Sequence, residues 1–261
     1  MQSKSITTFE FEHNIWQVHA HPQQPILLIE TRNADTRTAS FSAVNMPYHE
    51  MLWNTLDMGD DWWRGLEIMT DKYLVLHGFE DAHNPISSGV YVFDLFSGNK
   101  VYANDKSIFV NLEEDHLVEK ILSGEEEIYH SVNLNDGKQI VIEAPENRLY
   151  MDYSLLKTPQ WIEEGEPNFF KISSFIQQYH SAIKILSIEY LETHESIAVA
   201  WIEPNEQAFH QFVMVVDKEG NMLIKELVAT NLKGKSPGAF IVAHGFIAFV
   251  KQQTSLWYYQ C

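Results

Sequence analysis

Cysteine is almost missing from this chain of 261 residues, because Cys261 is the only one present. An intramolecular disulfide bond is therefore impossible. Long apolar runs are missing too, and none reaches the ~18 residues that a membrane-spanning helix needs. The segment that opens the chain, MQSKSITTFEFEHNIW, has no apolar stretch of the kind that signal peptides contain. Together these absences predict a cytoplasmic protein.

Positive charge is scarce as well. The chain has 18 Lys and Arg residues against 36 Asp and Glu residues, which gives a formal net charge of −18. Such a field repels phosphate backbones and acidic lipid surfaces, and no basic stripe stands against it. We therefore expect no nucleic acid and no membrane as partner. The expected state is a monomer that binds an unknown protein or a small-molecule ligand.

Large apolar side chains, in contrast, are plentiful. Hydrophobic residues make up 45% of the chain and aromatic residues 13%, which is not the composition of a disordered protein. In the stretch GVYVFDLFSGNKVY, Tyr91 and Phe93 would point to one face of a strand and Val90 and Val92 to the other. Because both faces are apolar, we expect this strand to be covered on both sides.

Runs of β-favouring residues recur in sets of four, separated by turns. These sets cover residues 15–56, 65–103, 107–142 and 183–228, and a last set of only three strands covers 240–260. Repeated four-stranded units about 40 to 50 residues long favour an all-β fold, namely a β-propeller of five blades, with six blades as the alternative. A two-sheet sandwich should show a cleaner alternation of buried and exposed residues.

The two ends of the chain are predicted to meet. The last set lacks a fourth strand, whereas the chain begins with a spare one, Ser5 to Glu12. This strand would complete the last blade and close the ring, so that no sheet edge is left open there. Residues 1–261 are thus predicted to form a single propeller domain.

One segment departs from the β pattern. After a proline-rich region, Phe169, Ile172, Ile176 and Tyr179 fall on one helical face. This spacing predicts an inserted amphipathic helix near residues 167–180.

A family resemblance rests on the turn segments. VYVFDLFSGNKVY resembles the strand–Asp–turn–Gly–strand segment of quinoprotein-like and WD40-like propellers, and FVMVVDKEGNMLI and HSVNLNDGKQIVI are weaker examples. The first set departs from this pattern, because it has Asn45 and no turn glycine, and the Gly-His and Trp-Asp pairs of WD40 repeats are missing. As a whole the chain resembles an uncharacterised family of small bacterial propeller-like proteins. That resemblance implies a fold but no catalytic residues.

The connection between the first two sets is the first candidate site. It contains Asp60, Asp61, Trp62, Trp63 and Arg64 in succession. Indole faces stack on sugars or cations and carboxylates orient hydroxyl groups, so this loop could bind such a ligand. The competing interpretation is a blade junction in which the indoles fill core and Arg64 pairs with an aspartate.

Histidines supply the second candidate. His77, Glu80, Asp81 and His83 lie in the long loop of the second set. Their spacing would let two imidazoles and a carboxylate bind one metal ion. The competing interpretation is a solvated turn, because no HExxH helix or dense Cys/His signature supports a metal site. His19 and His21 share a strand face, but no third ligand is visible. We therefore predict no metal.

Motifs of other chemistries are absent from the sequence. It contains no G-x-G-x-x-G and no phosphate-binding loop. We therefore predict no cofactor. The favoured function is a non-enzymatic binding or interaction module that uses loops on one face of the propeller. The alternative is a hydrolase or lyase with its site in the central channel, with or without the assistance of a metal.

Overall fold

Antiparallel β-meanders account for nearly all of the regular structure. The computed structural model describes residues 6–56, 62–79, 87–123, 126–145, 153–181 and 184–261. These residues form 22 strands and one α-helix, and the strands assemble into five sheets. The fold is thus all-β, with about five propeller-type blades, as predicted.

The chain divides into two compact units, which we call unit A (Gln17–Tyr153) and unit B (Met1–Trp16 with Ser154–Cys261). Unit A carries three four-stranded sheets, each in sequence order. The strands of its first sheet are β2 (Asn14–Ala20), β3 (Ile26–Asn33), β4 (Thr38–Asn45) and β5 (Glu50–Asn54). Those of the second are β6 (Arg64–Met69), β7 (Tyr73–Phe79), β8 (Ser87–Asp94) and β9 (Lys100–Asn104). Those of the third are β10 (Ser107–Glu113), β11 (His116–Ser123), β12 (Glu126–Asn133) and β13 (Gln139–Ile142).

Unit B carries two five-stranded sheets. One has the sequential strands β15 (Gln160–Glu163), β16 (Ser187–Glu192), β17 (Ser196–Asn205), β18 (Ala208–Asp217) and β19 (Met222–Leu232). The other has the order β1-β22-β21-β20-β14, with β1 (Thr7–Glu10), β14 (Leu156–Lys157), β20 (Phe240–Ala243), β21 (Phe246–Lys251) and β22 (Ser255–Gln260).

The N-terminal strand completes the last sheet, as predicted. β1 pairs antiparallel with β22, from Thr7 opposite Tyr258 to Glu10 opposite Ser255. The ring of Phe9 stacks on that of Tyr258 at 6.2 Å. The first and last strands of the chain therefore share one set of backbone hydrogen bonds.

Two short strands were not predicted. β14 and β15 lie in the proline-rich region and add an extra strand to each sheet of unit B. They have two and four residues, too few to show an alternation of their own. They are strands because they pair with a neighbouring strand; for example, Gln160 of β15 lies opposite Tyr190 of β16.

The predicted helix is present as α1 (Phe169–Tyr179). It begins two residues later than Pro167, because Asn168 takes a left-handed conformation with φ 68°. The apolar face buries Phe169 and Ile176 against β16, β17 and β18. With 11 residues it is the only helix among the described residues, and no helix in that part of the chain is long and apolar enough to span a membrane.

Apolar seams join neighbouring sheets within unit A. Leu28 of the first sheet packs in one buried cluster with Leu76 and Phe93 of the second. On the opposite face of the second sheet, Val92 packs in another cluster with Leu117 of the third. The central strand β8 is therefore buried on both faces, as its sequence predicts.

The predicted Asp–turn–Gly segments form side-chain-supported turns. The Asp94 carboxylate accepts the backbone N–H groups of Phe96 at 3.2 Å and Ser97 at 2.8 Å. The glycine that follows, Gly98, has φ 69°, a left-handed conformation that glycine adopts without a steric penalty. Asp217 repeats this arrangement in unit B, where its carboxylate accepts the N–H group of Asn221 at 2.7 Å.

Candidate binding site at one edge of unit A

One edge of unit A gathers its arginine and aromatic side chains. β3, β7 and β9 end there, and β6 and β8 begin there. Five residues of the first two sheets and their connections define what we call the arginine edge. They are Arg32, Trp62, Arg64, Tyr91 and Asp105.

The Arg64 side chain extends from β6 across β7 and contacts β8. It lies opposite Gly78 in the β6–β7 pair, and a Cβ atom added at Gly78 would be 2.7 Å from Arg64 Nη1. The missing side chain therefore leaves a path over β7. At its end the Arg64 guanidinium carbon lies 3.6 Å from the ring centroid of Tyr91 on β8, a cation–π contact.

Tyr91 is held from both ends. Its hydroxyl group donates a 2.5 Å hydrogen bond to Asp105 Oδ1. Burial, and then this bond to a carboxylate, raise the pKa of Tyr91 to about 12, so the phenol stays protonated at neutral pH. Gly89 (φ 89°) makes room for the ring, since a Cβ atom there would be 2.7 Å from the hydroxyl oxygen.

Arg32 joins the first sheet to the same edge. Its Nε donates to Glu30 Oε1 at 2.6 Å, and the Glu30 carboxylate is only 2% exposed. Arg32 Nη2 donates to the backbone oxygen of Arg64 at 3.3 Å, and the guanidinium carbon lies 4.9 Å from the Trp62 ring centroid. Each of the two guanidinium groups therefore lies against an aromatic ring, and a hydrogen bond links Arg32 to the Arg64 backbone.

The predicted loop residues are brought to this edge as far as the structure describes them. Trp62 and Arg64 take part in it, and Trp63 is 37% exposed while its backbone oxygen accepts the N–H group of Phe79 at 2.9 Å. Asp60 and Asp61 lie outside the described residues. Arg64 stacks on Tyr91, whose hydroxyl group bonds Asp105.

His77 lies on the other face of the same strand pair. Its Nδ1 is 2.9 Å from Glu67 Oε2, and because a carboxylate only accepts, Nδ1 carries the proton. In the neutral ring Nε2 is then the basic nitrogen. It rests against Gly65, where a Cβ atom would be 3.0 Å away. The other predicted histidine, His83, lies outside the described residues.

The second predicted histidine pair separates. His19 Nε2 lies 3.9 Å from Glu30 Oε2, whereas His21 is fully buried in the turn after β2 and bonds backbone groups. The described part of the chain contains no group of three or more His, Cys, Asp or Glu side chains placed to hold a metal ion.

A second buried carboxylate lies where the second and third sheets meet. Glu119 on β11 is 0% exposed, and its Oε1 accepts the Tyr102 hydroxyl group at 2.7 Å and Asn104 Nδ2 at 2.9 Å. Burial, followed by this bond, holds the pKa of Tyr102 well above its usual range. These hydrogen bonds join the second sheet to the third.

Sequence reasoning missed Glu30, Arg32, Tyr91 and Asp105. A signal was present for the first two, because Glu30 and Arg32 share one face of an otherwise apolar strand. For the other two no local signal stands out, since Tyr91 resembles any core aromatic residue.

Unit B contains a separate cleft of about 470 Å³. Its walls are the β16–β17 turn, the β18–β19 turn and the end of β22, and they include His194, Glu195, Lys218 and Tyr259. Cys261 also lines it, and its Sγ donates to the Gly245 backbone oxygen at 3.1 Å.

The five antiparallel sheets and their Asp–turn–Gly segments are of the type that forms β-propeller blades. Residues 20–102, which carry most of the arginine edge, match the family model described as "Domain of unknown function (DUF4905)". This match is in keeping with the predicted resemblance to an uncharacterised propeller-like family. No curated protein matches the chain.

Solved structures similar to the chain are remote. The β-propeller domain of the Trilobed protease from Pyrococcus furiosus is 10% identical, with 94% of this chain and 81% of that chain covered at a TM-score of 0.36. A putative TolB from Agrobacterium tumefaciens is 9% identical, with coverages of 99% and 98% and a TM-score of 0.30. BamB from Moraxella catarrhalis is 10% identical, with coverages of 94% and 82% and a TM-score of 0.24.

Proposed function

We propose that the chain is a non-enzymatic binding module that engages a protein ligand through the arginine edge of unit A. The observation that supports this most directly is the pair of guanidinium groups, Arg32 on Trp62 and Arg64 on Tyr91, at 4.9 Å and 3.6 Å from the ring centroids. Arginine, tryptophan and tyrosine are the residue types that dominate binding energy at protein interfaces. Here their conformations are fixed by internal contacts, which lowers the entropy cost of binding.

Trp63 is the side chain through which contact would be made. It is 37% exposed and immediately precedes Arg64, whereas the neighbouring arginines are held by Glu30 and Tyr91. An exposed indole beside a rigid charged platform fits an interface in which the partner buries the indole and hydrogen-bonds around it.

Site-specific photo-crosslinking tests this proposal. A photoreactive phenylalanine analogue at position 63, introduced in the native host, should give a discrete adduct with one partner. The matched control is the same analogue at Phe170, which is 73% exposed on the helix of unit B and should not give that adduct. With the partner in hand, Arg64→Ala should weaken binding at least tenfold, and Arg64→Lys should do so as well because it loses the planar stacking. Adducts that are identical at both positions, or an unchanged affinity, would refute the proposal.

A hydrolase or lyase is the second candidate function. The geometry that favours it is the hydrogen bond of 2.9 Å between Glu67 and His77. It leaves the basic Nε2 of His77 facing Gly65, which has no side chain to cover it. A carboxylate that orients an imidazole is a common arrangement for general-base catalysis. Turnover of any substrate found by screening should be lost in His77→Gln and reduced in Glu67→Gln, with Arg64→Ala as the control on the opposite face of the strand pair.

A further inference from the structure

The buried histidine His21 forms hydrogen bonds through both of its ring nitrogens. It is 0% exposed and follows directly after β2. Its Nδ1 accepts the backbone N–H groups of Gln23 at 3.0 Å and Gln24 at 2.9 Å. Its Nε2 lies 3.0 Å from the backbone oxygen of Thr70, which can only accept, so Nε2 carries the proton. The two bonds accepted by Nδ1 therefore require the neutral ring, whereas Nε2 can donate in either protonation state.

These bonds tie two sheets of unit A together. His21, Gln23 and Gln24 belong to the turn between β2 and β3, whereas Thr70 belongs to the turn between β6 and β7. Gln24 Nε2 strengthens the connection by donating to Asp71, at 3.1 Å to the backbone oxygen and 3.3 Å to Oδ1. We call this set of contacts the His21 latch.

We propose that the His21 latch is a proton-sensitive switch, in which protonation of Nδ1 expels the N–H groups of Gln23 and Gln24 and releases the β2–β3 turn from the second sheet. A protonated Nδ1 cannot accept a hydrogen bond, and it would place two backbone N–H groups against a third N–H. The ring would also carry a charge in a fully buried position. Local opening of the turn relieves both effects at a lower free-energy cost than global unfolding, because it returns the ring to water.

The sign of the pH dependence follows from these bonds. The closed latch binds fewer protons than the open one, so its stability is fully present above the ordinary imidazole value of about 6.5 and decreases below it. Each pH unit below that value favours opening by up to tenfold. Between pH 7.5 and 5.0 the opening equilibrium should therefore rise by about 30-fold.

The surrounding charges determine how far this goes. His19 on β2 is directed to Glu30, 3.9 Å away. Lys72 Nζ and the Tyr73 hydroxyl group, which follow Thr70, both bond Asp115, at 2.5 Å and 2.6 Å, and so are already paired.

Asp71 is the carboxylate bonded to the latch, and its charge would attract the imidazolium and resist opening. Asp71→Asn should therefore increase the opening at low pH.

Amide hydrogen exchange measured by NMR tests the switch. The readout is the protection factor, the ratio of the intrinsic to the observed exchange rate, for Gln23 and Gln24 at pH 7.5 and 5.0. In the full chain it should decrease by about 30-fold, while that of buried amides in β11 stays constant. The control is His21→Asn, whose side-chain oxygen can accept the same N–H groups but does not titrate, so its protection should not change with pH.

Three results would overturn the proposal. The first is unchanged protection in the wild-type chain, and the second is an equal loss in His21→Asn. The third is a long-range ¹H–¹⁵N spectrum at pH 7.5 that places the proton on Nδ1. If His21→Asn fails to fold, Asp71→Asn decides the matter, because a loss of protection no larger than that of the wild type contradicts the switch.

Discussion

Removal of Arg32 should expose how much the arginine edge depends on one buried ion pair. Glu30 is 2% exposed and receives Arg32 Nε at 2.6 Å. Arg32→Ala would leave that carboxylate charged and buried, and within the part of the chain that the structure describes His19, 3.9 Å away, is the remaining partner. Breaking a buried pair by removing one partner costs about 3 to 5 kcal/mol, a large part of the stability of an ordinary domain.

The double variant separates the value of the pair from the cost of an unpaired charge. Glu30→Leu combined with Arg32→Met replaces both partners with apolar side chains of similar size. Such replacements are neutral or stabilising when the site is well packed. We therefore expect the double variant to lie within about 1 kcal/mol of the wild type, while Arg32→Ala alone is strongly destabilised.

Urea unfolding followed by circular dichroism measures both variants. If Arg32→Ala lies within 1 kcal/mol of the wild type at pH 7, or the double variant is as unstable as the single one, the buried pair does not carry the energy assigned to it.

Three further predictions test the fold and the charges. Deletion of residues 1–12 removes β1 from the edge of its sheet, so size-exclusion chromatography should show aggregation or calorimetry a lower Tm; an unchanged monomer would contradict the closure. Gly78→Ala places a Cβ atom 2.7 Å from a guanidinium nitrogen and 2.6 Å from a backbone oxygen, and should lower the free energy of unfolding by about 1 to 3 kcal/mol. In the control Gly234→Ala the added Cβ meets no atom within 4 Å, so the stability should not change. The Lys72 ammonium group, followed by the hydrogen-bond donors Tyr73 and Asn135, holds the pKa of Asp115 well below its usual range. The wild type should therefore have a higher Tm than Asp115→Asn at pH 7, and this difference should vanish in strong acid; a difference that is constant with pH would refute the prediction.

Much of the strand pattern was predictable from local sequence. The strands predicted for the last set, Phe240 to Ala243, Phe246 to Lys251 and Ser255 to Gln260, have the same bounds as β20, β21 and β22, because Gly and polar turns bound short apolar runs. The two strands that were missed, β14 and β15, are two and four residues long. Segments of that length become strands only through a partner, so no local pattern could reveal them.

The candidate site was predictable only in part. Trp62, Trp63 and Arg64 were recognisable because unusual residue types follow one another in a turn. Arg32 and Tyr91 come from other strands, some 30 positions away on either side, and their relation to Arg64 depends on which strands pair.

Local sequence was enough to predict most of the strands, the helix and the Asp–turn–Gly segments, since alternation, helical period and turn chemistry act over a few residues. The contacts of Arg64 with Tyr91 past Gly78, of Arg32 with Trp62 and of His21 with Thr70 arise only in the folded chain. They depend on strand register and on the packing of one sheet against the next, because a shift of one residue in a strand pairing would turn strand residues such as Arg32 and Tyr91 to the opposite face.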